Sequence, residues 1–237
     1  MKILRNPARA NGSSPIRLEG IPFPSTDWQT PSELYSRCPE AMTTPLRELK
    51  KLAEDLSIGS LWIKDERARM GLGSFKALGA AYVIARDAEA SVARGRTYVC
   101  ASAGNHGISV AAGASAFGAE AVIFIAETVP EAFADRLRAL GAKVAREGKT
   151  YEESMQAASD FALAEKAALL SDSSWPDYTE RPFGVMEGYL ILMREIHQEI
   201  GAPPTHIFLQ AGVGGLAGAA AAFARAQWGD EPIIVVV

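Results

Sequence analysis

The stretch Thr97–Ala126, TYVCASAGNHGISVAAGASAFGAEAVIFIA, decides the fold. Thr97 to Ser102 is a short apolar run that reads as a strand, and small residues continue at helical spacing from Asn105 to Gly118. A second apolar run, Ala121 to Ala126, reads as the next strand. Strand, tight turn, helix and strand make a parallel unit, with the turn outside the carboxyl end of its first strand.

The same alternation extends in both directions. N-terminal to the stretch, residues 61–66 read as a strand and 75–90 as a helix. C-terminal to it, 130–141 read as a helix whose proline suits a first turn, followed by strand 142–147, helix 151–166 and strand 168–172. Residues 205–212 and 232–237 complete the strands. The expected class is α/β with parallel sheets flanked by helices. Residues 1 to about 40, rich in Asn, Gly, Ser and Pro, predict an irregular arm. The last strand stops at Val237 without the neighbours a buried parallel strand needs. The expectation is therefore an N-terminal portion of a longer enzyme.

Composition narrows the function classes. With 237 residues, 48% hydrophobic and 22% charged, the chain reads as an ordinary soluble protein able to bury one large or two smaller cores. No apolar run reaches membrane-spanning length, and the N-terminus lacks the apolar segment of a secretory signal. Cys38 and Cys100 show neither disulfide-framework nor zinc spacing, so no metal is expected. A net charge of −4 without a basic block argues against nucleic acid. The expected compartment is the cytoplasm.

Three short stretches carry candidate chemistry. In RMGLGSFKALGAAYVI (69–84), Lys76 follows two glycines and enters a small, apolar run. With Ser74 as a helix cap, the lysine falls in the first turn, where helix dipole and apolar neighbours both disfavour its charge. Both effects push a lysine below its ordinary pKa of about 10.4 and suit it to Schiff-base chemistry; the plain alternative is a lysine snorkelling to solvent. In the turn of the opening stretch, Ser102, Gly104 and Asn105 either aim donors at an anion or serve as turn residues only. His106 reads as a donor at the same spot or as a structural histidine. In THIFLQAGVGGLAG (205–218), Gly212, Gly214 and Gly215 let a backbone close around a phosphate at a helix start. The same spacing, Gly212-x-Gly214-x-x-Ala217, also fits a weak dinucleotide pattern, and close packing is a third reading.

In that order, these stretches resemble the pyridoxal-phosphate enzymes of the tryptophan-synthase-β type (fold type II), which include threonine and serine dehydratases. Within the family, KDERARMGLGSFKALGAAY, SAGNHGISVA, SDSSWPDYTERPFGVMEGY and THIFLQAGVGGLAG are most like diaminopropionate ammonia-lyase. The resemblance covers about residues 41–237. It implies two α/β domains: a large cofactor domain from 41–76 and 181–237, lacking its C-terminal half, and a small mobile domain from 77–180. It also implies pyridoxal 5'-phosphate as cofactor, a small amino acid as substrate, and a homodimer.

Carried onto this chain, the resemblance has Lys76 bind the cofactor aldehyde covalently and shuttle protons, with Phe75 against the ring. Asn105 would bond the ring hydroxyl, and Gly212, Val213, Gly214, Gly215 and Leu216 would cradle the phosphate. Ser102, Asn105 and His106 would hold the substrate carboxylate. Asp172 would bind the substrate's β-amine or assist proton transfer; a turn residue at a strand end is the plain reading of it. The diaminopropionate enzymes carry an aspartate just before Gly-Asn-His-Gly that serves the D-isomer. This chain has Ala103 there, the dehydratase-like form. The implied reaction is α,β-elimination on 2,3-diaminopropionate to pyruvate and ammonia. A threonine or serine dehydratase is the near alternative, and a nicotinamide-dependent oxidoreductase or a non-catalytic ligand-binding protein the remote ones.

Overall fold

The computed structural model describes Leu4 and residues 21–237, so most of the first half of the expected arm lies outside the described residues. The chain runs α1 (Gln29–Tyr35), β1 (Leu46–Glu48), α2 (Lys50–Asp55) and β2 (Trp62–Lys64), then a 3₁₀ stretch at Glu66–Gly71. It continues with α3 (Ala77–Glu89), β3 (Thr97–Ala101), α4 (Asn105–Ala116), β4 (Glu120–Ile125), α5 (Glu131–Ala139), β5 (Lys143–Arg146) and α6 (Tyr151–Ala164). The remainder is β6 (Ala168–Leu169), α7 (Glu180–Gly188), α8 (Leu190–Glu199), β7 (His206–Leu209), α9 (Gly215–Trp228) and β8 (Ile233–Val236).

The expected parallel sheet forms in the order β5-β4-β3-β6. Period-two alternation divides its side chains between two cores. Tyr98, Cys100, Ile123 and Ile125 pack towards α3 and α4 in the larger cluster. Val99, Ala101, Val122 and Phe124 pack with Ala158 and Ala162 of α6 in the smaller one. Both faces are covered, which is why β3 and β4 read as nearly continuous apolar runs. β7 and β8 form a separate parallel pair. Among the described residues, no helix is long and apolar enough to cross a membrane.

The strand order matters for function. The chain steps from β3 outward to β4 and β5, then returns to place β6 on the other side of β3. This reversal between β3 and β6 is a topological switch point, and open α/β sheets bind ligands outside the carboxyl ends of the strands at such points.

Helix α3 is buried on every side from Ala77 to Ala85, as an apolar helix inside a core must be. It approaches α7 so closely that a Cβ on Gly188 would lie 2.1 Å from the Leu78 carbonyl oxygen. This tight crossing brings Tyr189 against the start of α3.

Three expectations need correction. Part of the arm is helical: the Asp27 carboxylate accepts from the Gln29 and Thr30 backbone N–H groups at the start of α1. Buried Tyr35 then anchors α1 by donating to the Leu78 carbonyl. Secondly, the strand read at 61–66 joins no parallel sheet; β2 pairs antiparallel with β1, whose charged Arg47 and Glu48 hid it from a pattern reading. Thirdly, α3 starts at Ala77, with Lys76 at the boundary: Ser74 Oγ accepts from the Lys76 backbone N–H, and the Ala77 N–H bonds back to Ser74 O.

A buried ionic cluster fixes the approach to that boundary. The Arg69 guanidinium, fully buried, donates to both carboxylate oxygens of Glu66 and both of Glu195, and to Thr44 and the Met42 carbonyl. Lys64 adds a second cation 2.7 Å from Glu195. This cluster ties the loop before Lys76 to α8, 126 residues away in sequence. Beyond it, Gly71 and Gly73 take left-handed backbone angles that let the chain turn into α3.

Candidate active site

The lysine is not isolated. Lys76 Nζ lies 2.5 Å from Asp172 Oδ2, with the two side chains 22% and 14% exposed. Asp172 follows β6, and the segment is pinned by Tyr178, whose hydroxyl donates to Leu169 O and accepts from Ser171 N–H. Besides the apolar neighbours and helix start expected around it, the folded chain sets a carboxylate against this amine. Burial pushes the Asp172 carboxyl up, but the Lys76 ammonium, facing it and hydrogen-bonded to it, helps hold the group below its ordinary value.

His106 stands behind this pair. Its turn is closed by Ser102, whose hydroxyl accepts from the Gly104 and Gly107 backbone N–H groups and so satisfies donors at the start of α4. That arrangement sends the His106 side chain inward. Its Nε2 bonds to the Leu170 carbonyl at 2.8 Å, one strand over, so Nε2 carries the hydrogen. Nδ1 is buried without a hydrogen-bond partner among the described residues, 3.9 Å from Asp172 Oδ2. Burial lowers the imidazole pKa despite the nearby carboxylate, so the ring is neutral at neutral pH. Its only N–H is thus committed to Leu170. Asn105, by contrast, is exposed at the first position of α4.

The glycine-rich loop reaches the same place through one ring. Tyr189 packs edge-on against Phe75 with centroids 5.1 Å apart, and its ring centre is 5.7 Å from Lys76 Nζ. A Cβ on Gly79 would meet this ring at 2.8 Å and one on Gly215 at 3.7 Å. Tyr189 therefore joins the lysine turn to the start of α9, and its buried hydroxyl has no hydrogen-bond partner among the described residues. Gly214 caps α9 with φ of +85°, and a Cβ on Gly212 or Gly214 would meet only open space. The first-turn N–H groups of α9 have no intrahelical acceptor and face a site suited to an anion. Val213 is exposed there and Leu216 half-buried.

Three elements thus converge: an amine paired with a carboxylate, an inward histidine, and a glycine-lined helix start. The model of one family, described as "Pyridoxal-phosphate dependent enzyme", matches residues 39–237. The chain belongs to this family. Diaminopropionate ammonia-lyase of Salmonella typhimurium is 32% identical to it, over 86% of this chain and 56% of that protein. The mouse L-serine dehydratase/L-threonine deaminase is 31% identical, over 81% of this chain and 56% of its own length. Crystal structures of the Escherichia coli diaminopropionate ammonia lyase superpose with TM-score 0.85 for the holo form (26% identity, 90% of this chain, 60% of that one). The complex with an aminoacrylate-PLP azomethine reaction intermediate gives 0.84 (27% identity). The chain spans little more than half the length of these relatives.

The residues fit the family's cofactor. Lys76 would supply the amine, the open glycine positions at α9 would leave room for a phosphate, and Phe75 and Tyr189 would offer an apolar wall between them. Family membership sets aside the nicotinamide reading of the glycine spacing, which gave Lys76 no role. Sequence reasoning missed Tyr189, Tyr178 and Arg69. The GYLIL and WPDYTE runs contained the two tyrosines, but nothing local distinguished them from core residues.

Proposed function

We propose that this chain carries the catalytic lysine of a pyridoxal-phosphate-dependent ammonia-lyase that eliminates the β-substituent of a small amino acid, 2,3-diaminopropionate first. The observation that carries the reading is the 2.5 Å contact between Lys76 Nζ and Asp172 Oδ2. When bound, the cofactor supplies the electron sink that makes the Cα–H bond acidic.

The chain's own groups do the rest. Lys76 holds the cofactor and, once free as an amine, removes the proton from Cα. Asp172 takes up a proton from Lys76 when the amine must be neutral. While Asp172 is still ionised, its negative charge attracts a second ammonium on the substrate, which favours diaminopropionate over the neutral hydroxyls of serine and threonine. Backbone N–H groups at the starts of α4 and α9 hold the substrate carboxylate and the phosphate, Asn105 meets the ring hydroxyl, and the Ser102 turn keeps the first set in place. With water, elimination gives pyruvate and two molecules of ammonia. The division into a large lobe (41–76 and 181–237) and a small mobile lobe (77–180), a homodimer and a cytoplasmic setting belong to the same proposal. The four-stranded sheet, drawn wholly from 97–169, supports the small lobe.

A dehydratase is the second reading, favoured by Ala103. Keto-acid release from L-diaminopropionate, D-diaminopropionate, L-serine and L-threonine separates the two. The expected order places L-diaminopropionate first by at least about tenfold in kcat/KM, with no measurable turnover of the D-isomer because Ala103 has no basic atom. A preference for L-threonine would transfer the assignment to the dehydratases.

A further inference from the structure

Among the described residues, Nδ1 of His106 is a buried acceptor with nothing to accept, and such groups call for a reason. Asp172 Oδ2, 3.9 Å away, is itself acceptor-only while ionised and accepts from Lys76 Nζ. The ring cannot turn to relieve the mismatch without breaking the Nε2–H bond to Leu170. The situation changes if Asp172 carries a proton: Oδ2–H is then a donor, and closing about 1 Å of the 3.9 Å gap makes an ordinary hydrogen bond.

We propose that His106 is a positioning residue whose Nδ1 lone pair lets Lys76 become neutral, by accepting a hydrogen bond from Asp172 once Asp172 has taken the ammonium proton. The inference rests on the reading of Lys76 as the residue that bonds the cofactor, because that bond requires an uncharged amine. In the step, one N–H bond of Lys76 breaks, an O–H bond forms at Asp172 Oδ2, and the electron pair stays on Nζ. Charge is conserved, since an ion pair becomes two neutral groups. Such an exchange suits an enclosed site where each remaining charge is costly. Other titratable groups near the pair are held neutral: burial pushes the Cys100 thiol and the phenols of Tyr151 and Tyr189 up, and that of Tyr178 to about 12. These groups keep their own protons, which leaves Asp172 Oδ2 as the side-chain acceptor in contact with Nζ.

The test uses the protein at its full natural length, stripped of cofactor. Gln at position 106 keeps a donor within reach of Leu170 but loses the acceptor at Nδ1, whereas Asn keeps a polar atom at the Nδ1 distance. On adding pyridoxal phosphate, His106→Gln is expected to develop the visible band about tenfold more slowly than wild type near neutral pH, with the rate profile displaced to higher pH. His106→Asn recovers part of that rate, and the thermal midpoints of both stay close to wild type. A role confined to bracing Leu170 predicts the reverse ranking, with Gln the better substitute; that result, or a wild-type rate in His106→Gln, overturns the proposal.

Histidine 15N NMR of the cofactor-free protein gives a readout independent of binding and turnover. In Lys76→Ala, the Nδ1 resonance should move as pH falls from about 8 to about 5, and the movement should vanish when Asp172 is also changed to Ala. An Nδ1 that never senses Asp172, or one that carries the hydrogen at neutral pH, refutes the inference. Absence of any visible band in the wild type would instead refute the cofactor reading, while the NMR result still decides the role of His106.

Discussion

Replacing Lys76 by alanine is expected to lower amino-acid elimination by at least about 10³-fold and to remove the visible absorption of bound cofactor at the same time. Both losses follow from one geometry. The amine enters the site from the start of α3, opposite Asp172, and no other lysine is placed in that contact among the described residues. Steady-state keto-acid release and an absorption spectrum of the purified variant suffice. Because the side chain is partly exposed and its partner can meet solvent, the fold should survive the substitution. Retained turnover in a folded Lys76→Ala variant would contradict the assignment.

The second large effect lies away from the chemistry. Arg69→Ala is expected to cost about 3–5 kcal/mol, because it leaves buried carboxylates without their cation. Glu195 keeps Lys64 at 2.7 Å, but Glu66, 12% exposed, loses both of its guanidinium hydrogen bonds. Against a typical total of about 5–15 kcal/mol, this is a large fraction. Urea unfolding should show it as a lowered midpoint with an unchanged slope. Arg37→Ala, which breaks an ion pair between half-exposed side chains, should move the midpoint little. A change in Arg69→Ala no larger than that of the surface variant would show that the cluster does not hold the lysine loop.

The contrast between these two residues marks how far local pattern reaches. Periods of two and of about 3.6 residues are written into each segment, so the β3–α4–β4 unit and the alternation after it were readable from neighbouring side chains alone. Lys76 and the two glycine-rich turns were legible for a similar reason: glycine, asparagine and a lone lysine beside apolar residues break the pattern where they stand. Arg69 gave no such sign. Its partners lie in α8 and in the loop before β1, and a charged residue in KDERARMG reads as surface until the chain is folded.

Charge at the site was hidden in the same way. Asp172 meets Lys76 across 96 residues, only because β6 returns beside β3. Nothing in either local stretch signals that this amine and this carboxylate touch. Tyr189 completes the pattern: it links the lysine turn to the glycine loop through contacts that no spacing rule encodes. β1 escaped for a simpler reason: its three residues are too few to display any period.

The central claim is a single covalent bond, and borohydride tests it most directly. Reduction of the full-length protein loaded with pyridoxal phosphate, followed by digestion and mass analysis, should place the pyridoxyl group on the peptide containing GSFKALGAAY, at Lys76. A label on any other lysine, or none on a protein that still eliminates ammonia from amino acids, would contradict the account.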